Sequence, residues 1–235
     1  MALCLTLLFP VSAFATEAVG VKEPTLVYQA KQITDPNQLL MRAKLGIDER
    51  SDAVRQATSI QAKTNVNSRT GLTAMDNSVQ NAYVTTQLLG REVLDDGSVV
   101  EHYATAAITR SALTATNSET ENSVIVTAMI NYSTRQQEAI VQARLDKTQH
   151  RTVYPTAVTT SNMELTNKVD NGLEILYSNS RNIASPSNNT WYTLSSPTSQ
   201  YFDLSKKFQG TTTVTASNGA SPYVMCEVNL HTALS

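Results

Sequence analysis

The spacing of apolar residues changes once along this chain, near residue 79. Ahead of that point Leu39, Leu40, Ala43 and Leu45 recur at near-helical spacing and predict one helix near 36–45. Asp35 is suited to cap it, Pro36 to open it, and Gly46 to end it in the left-handed conformation, with Arg42 and Lys44 in the last turn. Ala53, Val54, Ala57 and Ile60 allow a second helical segment, and 65–73 reads as loop.

Past residue 79 the period becomes 2. Runs 84–94 and 99–108 are joined by Asp95-Asp96-Gly97-Ser98 and predict a hairpin. A two-residue Asp96-Gly97 turn would set Glu92 opposite Glu101, a like-charge pair. A three-residue loop with Gly97 as the left-handed bulge residue sets Arg91 opposite Glu101 and Val93 opposite Val99. Opposed charges favour a register by roughly 0.2–1 kcal/mol and like charges oppose it by as much, so the bulged register is expected.

Further strand-like runs cover 123–132, 139–154, 163–169, 173–177, 189–194, 211–216 and 223–230. They are rich in Val, Ile, Thr and Tyr and are separated by turns such as Asp170-Asn171-Gly172. Val124, Val126 and Ala128 alternate with Ile125, Thr127 and Met129, apolar on both faces, which predicts a central strand. Val224, Cys226, Val228 and Leu230 alternate with Met225, Glu227 and Asn229, the pattern of a half-buried antiparallel strand. Together these runs predict a mainly β protein, an antiparallel β-sandwich (Ig-like or related), preceded by a short helical arm. The expected division is a signal segment over 1–15, an arm over 16–78 and the sandwich over 79–235.

Composition sharpens the picture. Of the 235 residues, 41% are hydrophobic and 16% charged, and the net charge is -2. Thr, Ser and Asn fill about 30% of positions in place of charge. That balance gives no electrostatic reason to bind nucleic acid or an anionic membrane. The start, Met1 to Ala15, is an apolar run too short to span a bilayer and ends in Ala13-Phe14-Ala15, a small-x-small peptidase pattern. The first basic residue is Lys22, so a translation start upstream of Met1 is expected. A chain so processed is secreted, extracellular or attached to the cell surface, with no membrane span after cleavage. Removal of Cys4 leaves Cys226, which has no partner for an intramolecular disulfide. Asn131-Tyr-Ser133 and Asn188-Asn-Thr190 match the glycosylation pattern, as chance allows in such a composition.

The leader followed by a Thr/Ser/Asn-rich strand body, and the hairpin from Tyr83-Val-Thr-Thr-Gln-Leu-Leu89 to Asp95-Asp-Gly-Ser-Val-Val-Glu-His-Tyr103, resemble small exported β-rich proteins of Gram-positive bacteria. The likeness is compositional. It implies extracellular or cell-surface placement and brings no catalytic residues.

Few residues suggest chemistry. No Gly-x-Ser-x-Gly elbow, phosphate loop, metal-ligand spacing or cofactor motif occurs. His102, His150 and His231 lie in or beside strands, where partly exposed histidines are expected. Cys226 and His231 are five positions apart, an odd offset that opposes a thiol dyad on one strand. Asp95 and Asp96 suit a hairpin turn better than a calcium ion. Glu92, Glu101, Glu164 and Glu174 leave a carboxylate-dependent, glycosidase-type hydrolase as the alternative to a non-enzymatic binding module. A structural envelope protein is the third reading, favoured by an uncovered edge strand. Trp191, Tyr192, Tyr201 and Phe202 flank a polar loop. Within that cluster Tyr192 and Tyr201 are the candidate ligand contacts, with cell-wall polysaccharide or a surface protein as partner.

Overall fold

The computed structural model describes residues 23–50, 53–66, 73–112, 123–137, 140–156, 158–196, 199–203, 206–217 and 224–234. The expected signal segment, with Cys4, lies outside them. In chain order the elements are β1 (Thr25–Gln29), α1 (Pro36–Lys44), β2 (Ala53–Val66), β3 (Thr73–Asn81), β4 (Tyr83–Val93), β5 (Val99–Ala112), β6 (Ser123–Gln137), β7 (Ile140–Val153), β8 (Thr159–Asp170), β9 (Ile175–Ala184), β10 (Trp191–Ser195), β11 (Phe202–Asp203), β12 (Lys207–Ser217) and β13 (Val224–Leu234). They build two antiparallel sheets. The first has the order β1-β4-β5-β6-β7-β10, with β11 also pairing β7, and the second runs β3-β2-β13-β12-β8-β9.

The sheets pack face to face. Val124, Val126, Ala128, Ile130 and Tyr132 of β6 meet Met163, Leu165 and Val169 of β8 and Phe208 and Val214 of β12, all buried in one cluster. At Gly210 the sheets approach closely: a Cβ there would sit 3.2 Å from Ile130 Cγ1, so the Ile130 side chain would have to give way. The other face of β6 is also dry. Ile125 and Met129 join Ala104, Ala106 and Ile108 of β5 beneath Leu39 of α1. Strand β6 is therefore central, as its doubly apolar pattern predicts.

The helix forms where its caps place it. Asp35 accepts a hydrogen bond from the Gln38 amide at 2.9 Å, Pro36 opens the first turn, and Gly46 follows with φ +68°. The helix lies against β4 and β5. The segment before it is tied to the same face. Gln87 exchanges two hydrogen bonds with the Ile33 backbone at 2.8 and 3.2 Å, Gln149 accepts from Gln32 at 2.9 Å, and Arg151 donates to the Thr34 carbonyl at 2.9 Å.

Two expectations are corrected. Ala53 to Ile60 is not helical but part of β2, whose backbone pairs with β13 on one side and β3 on the other. Helical spacing of Ala53, Val54, Ala57 and Ile60 is overridden there by non-local ladders. The expected boundary at 78/79 falls inside β3, and β1, β2 and β3 belong to the sheets, so 16–78 is not a separate arm.

Candidate functional site

The β4–β5 hairpin adopts the bulged register. Arg91 pairs with Glu101 and Val93 with Val99, and Gly97 has φ +78°. Leu94 and Gly97 close the loop through Leu94 N to Ser98 O and Gly97 N to Leu94 O, both 2.9 Å. Asp96 accepts from the Ser98 amide at 2.8 Å and hydroxyl at 2.5 Å, which holds its carboxyl below the usual range. Those bonds belong to the turn. Among the described residues no group of three His, Cys, Asp or Glu is placed to hold a metal.

This register carries a consequence for the face turned toward the second sheet. Val99, Glu101 and Tyr103 alternate along one side of β5, with Arg91 across from Glu101 on β4 and Thr134 across from it on β6. Gln136 lies opposite Val99, and Val141 of β7 lies opposite Gln136. With Arg50 these residues line a pocket of about 390 Å³, within the roughly 300–1,000 Å³ of small-molecule sites. Tyr103 of this lining stacks on the buried Tyr132, with centroids 5.5 Å apart.

Glu101 organises the pocket. Arg91 Nε and Nη2 donate to its Oε1 at 2.9 and 2.5 Å, and the Tyr103 hydroxyl donates to its Oε2 at 2.6 Å. The Arg50 guanidinium stands 5.0 Å from the Tyr103 ring centroid. Burial pushes the Glu101 carboxyl up, but the Tyr103 hydroxyl and Arg91 together hold it below its ordinary value. Burial, then the adjacent Glu101 carboxylate, push the Tyr103 phenol well up. At neutral pH the pocket thus holds a neutral Tyr103 phenol beside an ionised Glu101 carboxylate.

The aromatic candidates go elsewhere. Trp191 joins the cluster under α1, with the Arg151 guanidinium 5.4 Å from its ring centroid, whereas its neighbour Tyr192 packs on the inter-sheet core. The Tyr192 hydroxyl accepts from the Ser187 amide at 2.8 Å. Tyr201 lies between Arg135, at 4.4 Å, and Arg144, at 5.1 Å. Tyr192 pairs with His150, and Tyr201, just before the Phe202–Ala143 pair, is level with Arg144, so six residues of β7 separate the two levels. At about 3.3 Å per residue that is roughly 15–20 Å, too far to grip one sugar ring.

The histidines differ from the expectation of partial exposure. His150 is fully buried. Its Nε2 lies 2.7 Å from Thr148 Oγ1 and its Nδ1 2.8 Å from Thr212 Oγ1, so it bridges the two sheets, and burial lowers its pKa to about 3. A bulge at Asp146 resets the alternation of β7 and turns His150 inward. His102 is partly exposed. Its Nδ1 lies 2.9 Å from Ser133 Oγ, its Nε2 3.6 Å from Glu92, and Ser133 donates to Asp146 at 2.5 Å. Ser133 is wholly buried, so this array closes a ladder across β5, β6 and β7 and offers no open nucleophile. The Cys226 and His231 side chains lie outside the described residues. Asn131 of the first glycosylation match is buried in β6.

The strand carboxylates do not converge on the pocket. Glu92 pairs with Val100, on the opposite face from Glu101, and Glu164 and Glu174 are exposed on and beside the second sheet. No described helix is long and apolar enough to cross a membrane. No family model, no curated protein and no solved structure matches this chain.

Proposed function

We propose that the protein is a secreted, non-enzymatic β-sandwich that acts as a binding or interaction module outside the cell or at its surface. Cell-wall polysaccharide is the partner this reading prefers over a surface protein. The observation that carries it is the pocket on the inner face of β4–β7: an apolar floor of Val99, Val141 and Tyr103 beside the polar ends of Arg91, Thr134 and Gln136. Placement outside the cell rests on the leader ending in Ala13-Phe14-Ala15. The pocket replaces Tyr192 and Tyr201 as the contact region, because their rings are already engaged by the core and by two guanidinium groups.

The hydrolase alternative gains no support from the pocket, whose lining includes one carboxylate where glycoside hydrolysis needs two. One observation bears on an envelope role: β9 pairs only with β8 among the described residues and leaves a ten-residue edge. A bulge at Leu176 interrupts only the first residues of that edge, and the pocket, which an envelope role does not require, favours the binding reading.

Sedimentation with insoluble wall polysaccharide tests the proposal. The protein is expected in the pellet, and Arg91→Gln or Thr134→Val is expected to leave it in the supernatant. Retention unchanged by either substitution, or no retention of the wild type, would overturn it.

A further inference from the structure

We infer that copies of this chain join head to tail, β9 of one copy pairing with β3 of the next. The inference goes beyond the binding-module reading and does not rest on it, since no residue of the pocket lining lies on β3 or β9. The second sheet has six strands, every neighbouring pair antiparallel, and β3 and β9 are its two edges. An even count leaves those edges running in opposite directions. A second copy set beside the first therefore brings its β3 antiparallel to β9, and the ladder continues. Among the described residues β9 pairs only with β8, and β3 only with β2. Past the bulge at Leu176, neither 177–184 nor β3 contains the proline or lysine that blunts natural edges. The first sheet leaves its own edges on the same two sides: β10 contacts β8 and β9, and β2 contacts β4, the neighbour of β1.

Charge selects the partner. Within 177–184 the sole charged residue is Arg181, and within β3 it is Asp76. Arg181 is exposed and makes no ion pair among the described residues. Setting Arg181 opposite Asp76 aligns 177–184 with 73–80, the whole of β9 past its bulge with all but the last residue of β3. The register also keeps the faces. Arg181 pairs with Leu165 and Leu165 with Thr212, while Asp76 pairs with Lys63, Lys63 with Val224 and Val224 with Ala216. Thr212 and Ala216 are an even number of positions apart on β12 and both are buried, so the two charged positions belong to the same, core-side face of the sheet. Residues opposed across an antiparallel ladder share a face, as this pairing requires. Lys63 already flanks Asp76 in the ladder, and a carboxylate has acceptor sites for a cation on each side. Pairing β9 with β9 would offer Arg181 no opposite charge in any register past the bulge, and pairing β3 with β3 would offer Asp76 none. The contact is therefore between two different edges, the kind that propagates.

Sedimentation velocity of the purified full chain tests this. The weight-average mass is expected to rise about threefold or more over about a hundredfold range of concentration, past the dimer, as a propagating contact demands. Arg181→Glu and Asp76→Lys are each expected to abolish that rise. An equimolar mixture of the two variants is expected to restore it, because each then offers the other an opposite charge at the junction. In the wild type, amide exchange at 73–80 and 177–184 is expected to slow with concentration while that of β5 and β6 stays constant. Should a variant not fold by circular dichroism, the exchange comparison alone decides. A monomer at every concentration, growth that stops at the dimer, growth undiminished by either variant, a mixture of folded variants that stays monomeric, or exchange at both edges that ignores concentration overturns the inference. Retention on wall polysaccharide is read separately and bears only on the binding-module reading.

Discussion

Arg91 and Glu101 face each other across the β4–β5 ladder, with Arg91 Nε 2.9 Å from Glu101 Oε1, because the loop between them carries three residues rather than two. One residue fewer would bring Glu92 against Glu101 and carry Arg91 to the other face of the sheet. The pocket thus depends on a turn that lies just outside its lining, next to Val99.

The turn is held by Gly97, whose φ of +78° is disfavoured for any residue with a Cβ. A Cβ there would meet nothing within 4 Å, so the cost of Gly97→Ala is conformational alone. A loss of about 1 kcal/mol is expected from urea unfolding. An unchanged midpoint would show that the loop adopts another conformation.

Leu39 is fully buried beneath α1, against Ala104, Ala106, Ile108, Ile125 and Met129. Leu39→Ala is expected to cost about 3 kcal/mol, within the usual range for a buried leucine. Amide exchange should show 36–44 losing protection first. A loss under about 0.5 kcal/mol would mean that the helix does not cover the first sheet in solution.

His150 predicts a pH dependence. The unfolded chain takes up a proton near pH 6.5, whereas the folded chain holds His150 neutral until about pH 3. Its contribution is therefore complete above pH 6.5 and is lost as the pH falls toward 3. The loss is at most about 1.4 kcal/mol per pH unit, so about 2 kcal/mol by pH 5. His150→Gln should flatten this slope between pH 6.5 and 5 in urea titrations. An identical slope in wild type and variant would show that His150 is reached by water.

Much of the fold is legible in local pattern. The helix caps, the hairpin register and the central position of β6 each follow from residues within a few positions of one another. What is not legible depends on partners far along the chain. Residues 53–60 carry helical spacing, yet they pair with 227–234 more than 160 positions away. The burial of His150 needs both the bulge at Asp146 and Thr212 on the opposite sheet. The pocket is half legible: the hairpin puts Arg91, Val99, Glu101 and Tyr103 on one face, but nothing local says that Thr134, Gln136 and Val141 will join them. Aromatic content pointed to Tyr192 and Tyr201 because ring chemistry is visible in sequence, while the arginines stacked on Tyr201 are not.

The most direct measurement is an amide-resolved NMR titration of the full chain with soluble wall-polysaccharide fragments. Shifts confined to Arg91, Val99, Glu101, Tyr103, Thr134, Gln136 and Val141 are the predicted result. Shifts centred instead on Tyr192 and Tyr201, or none at all, would contradict the account.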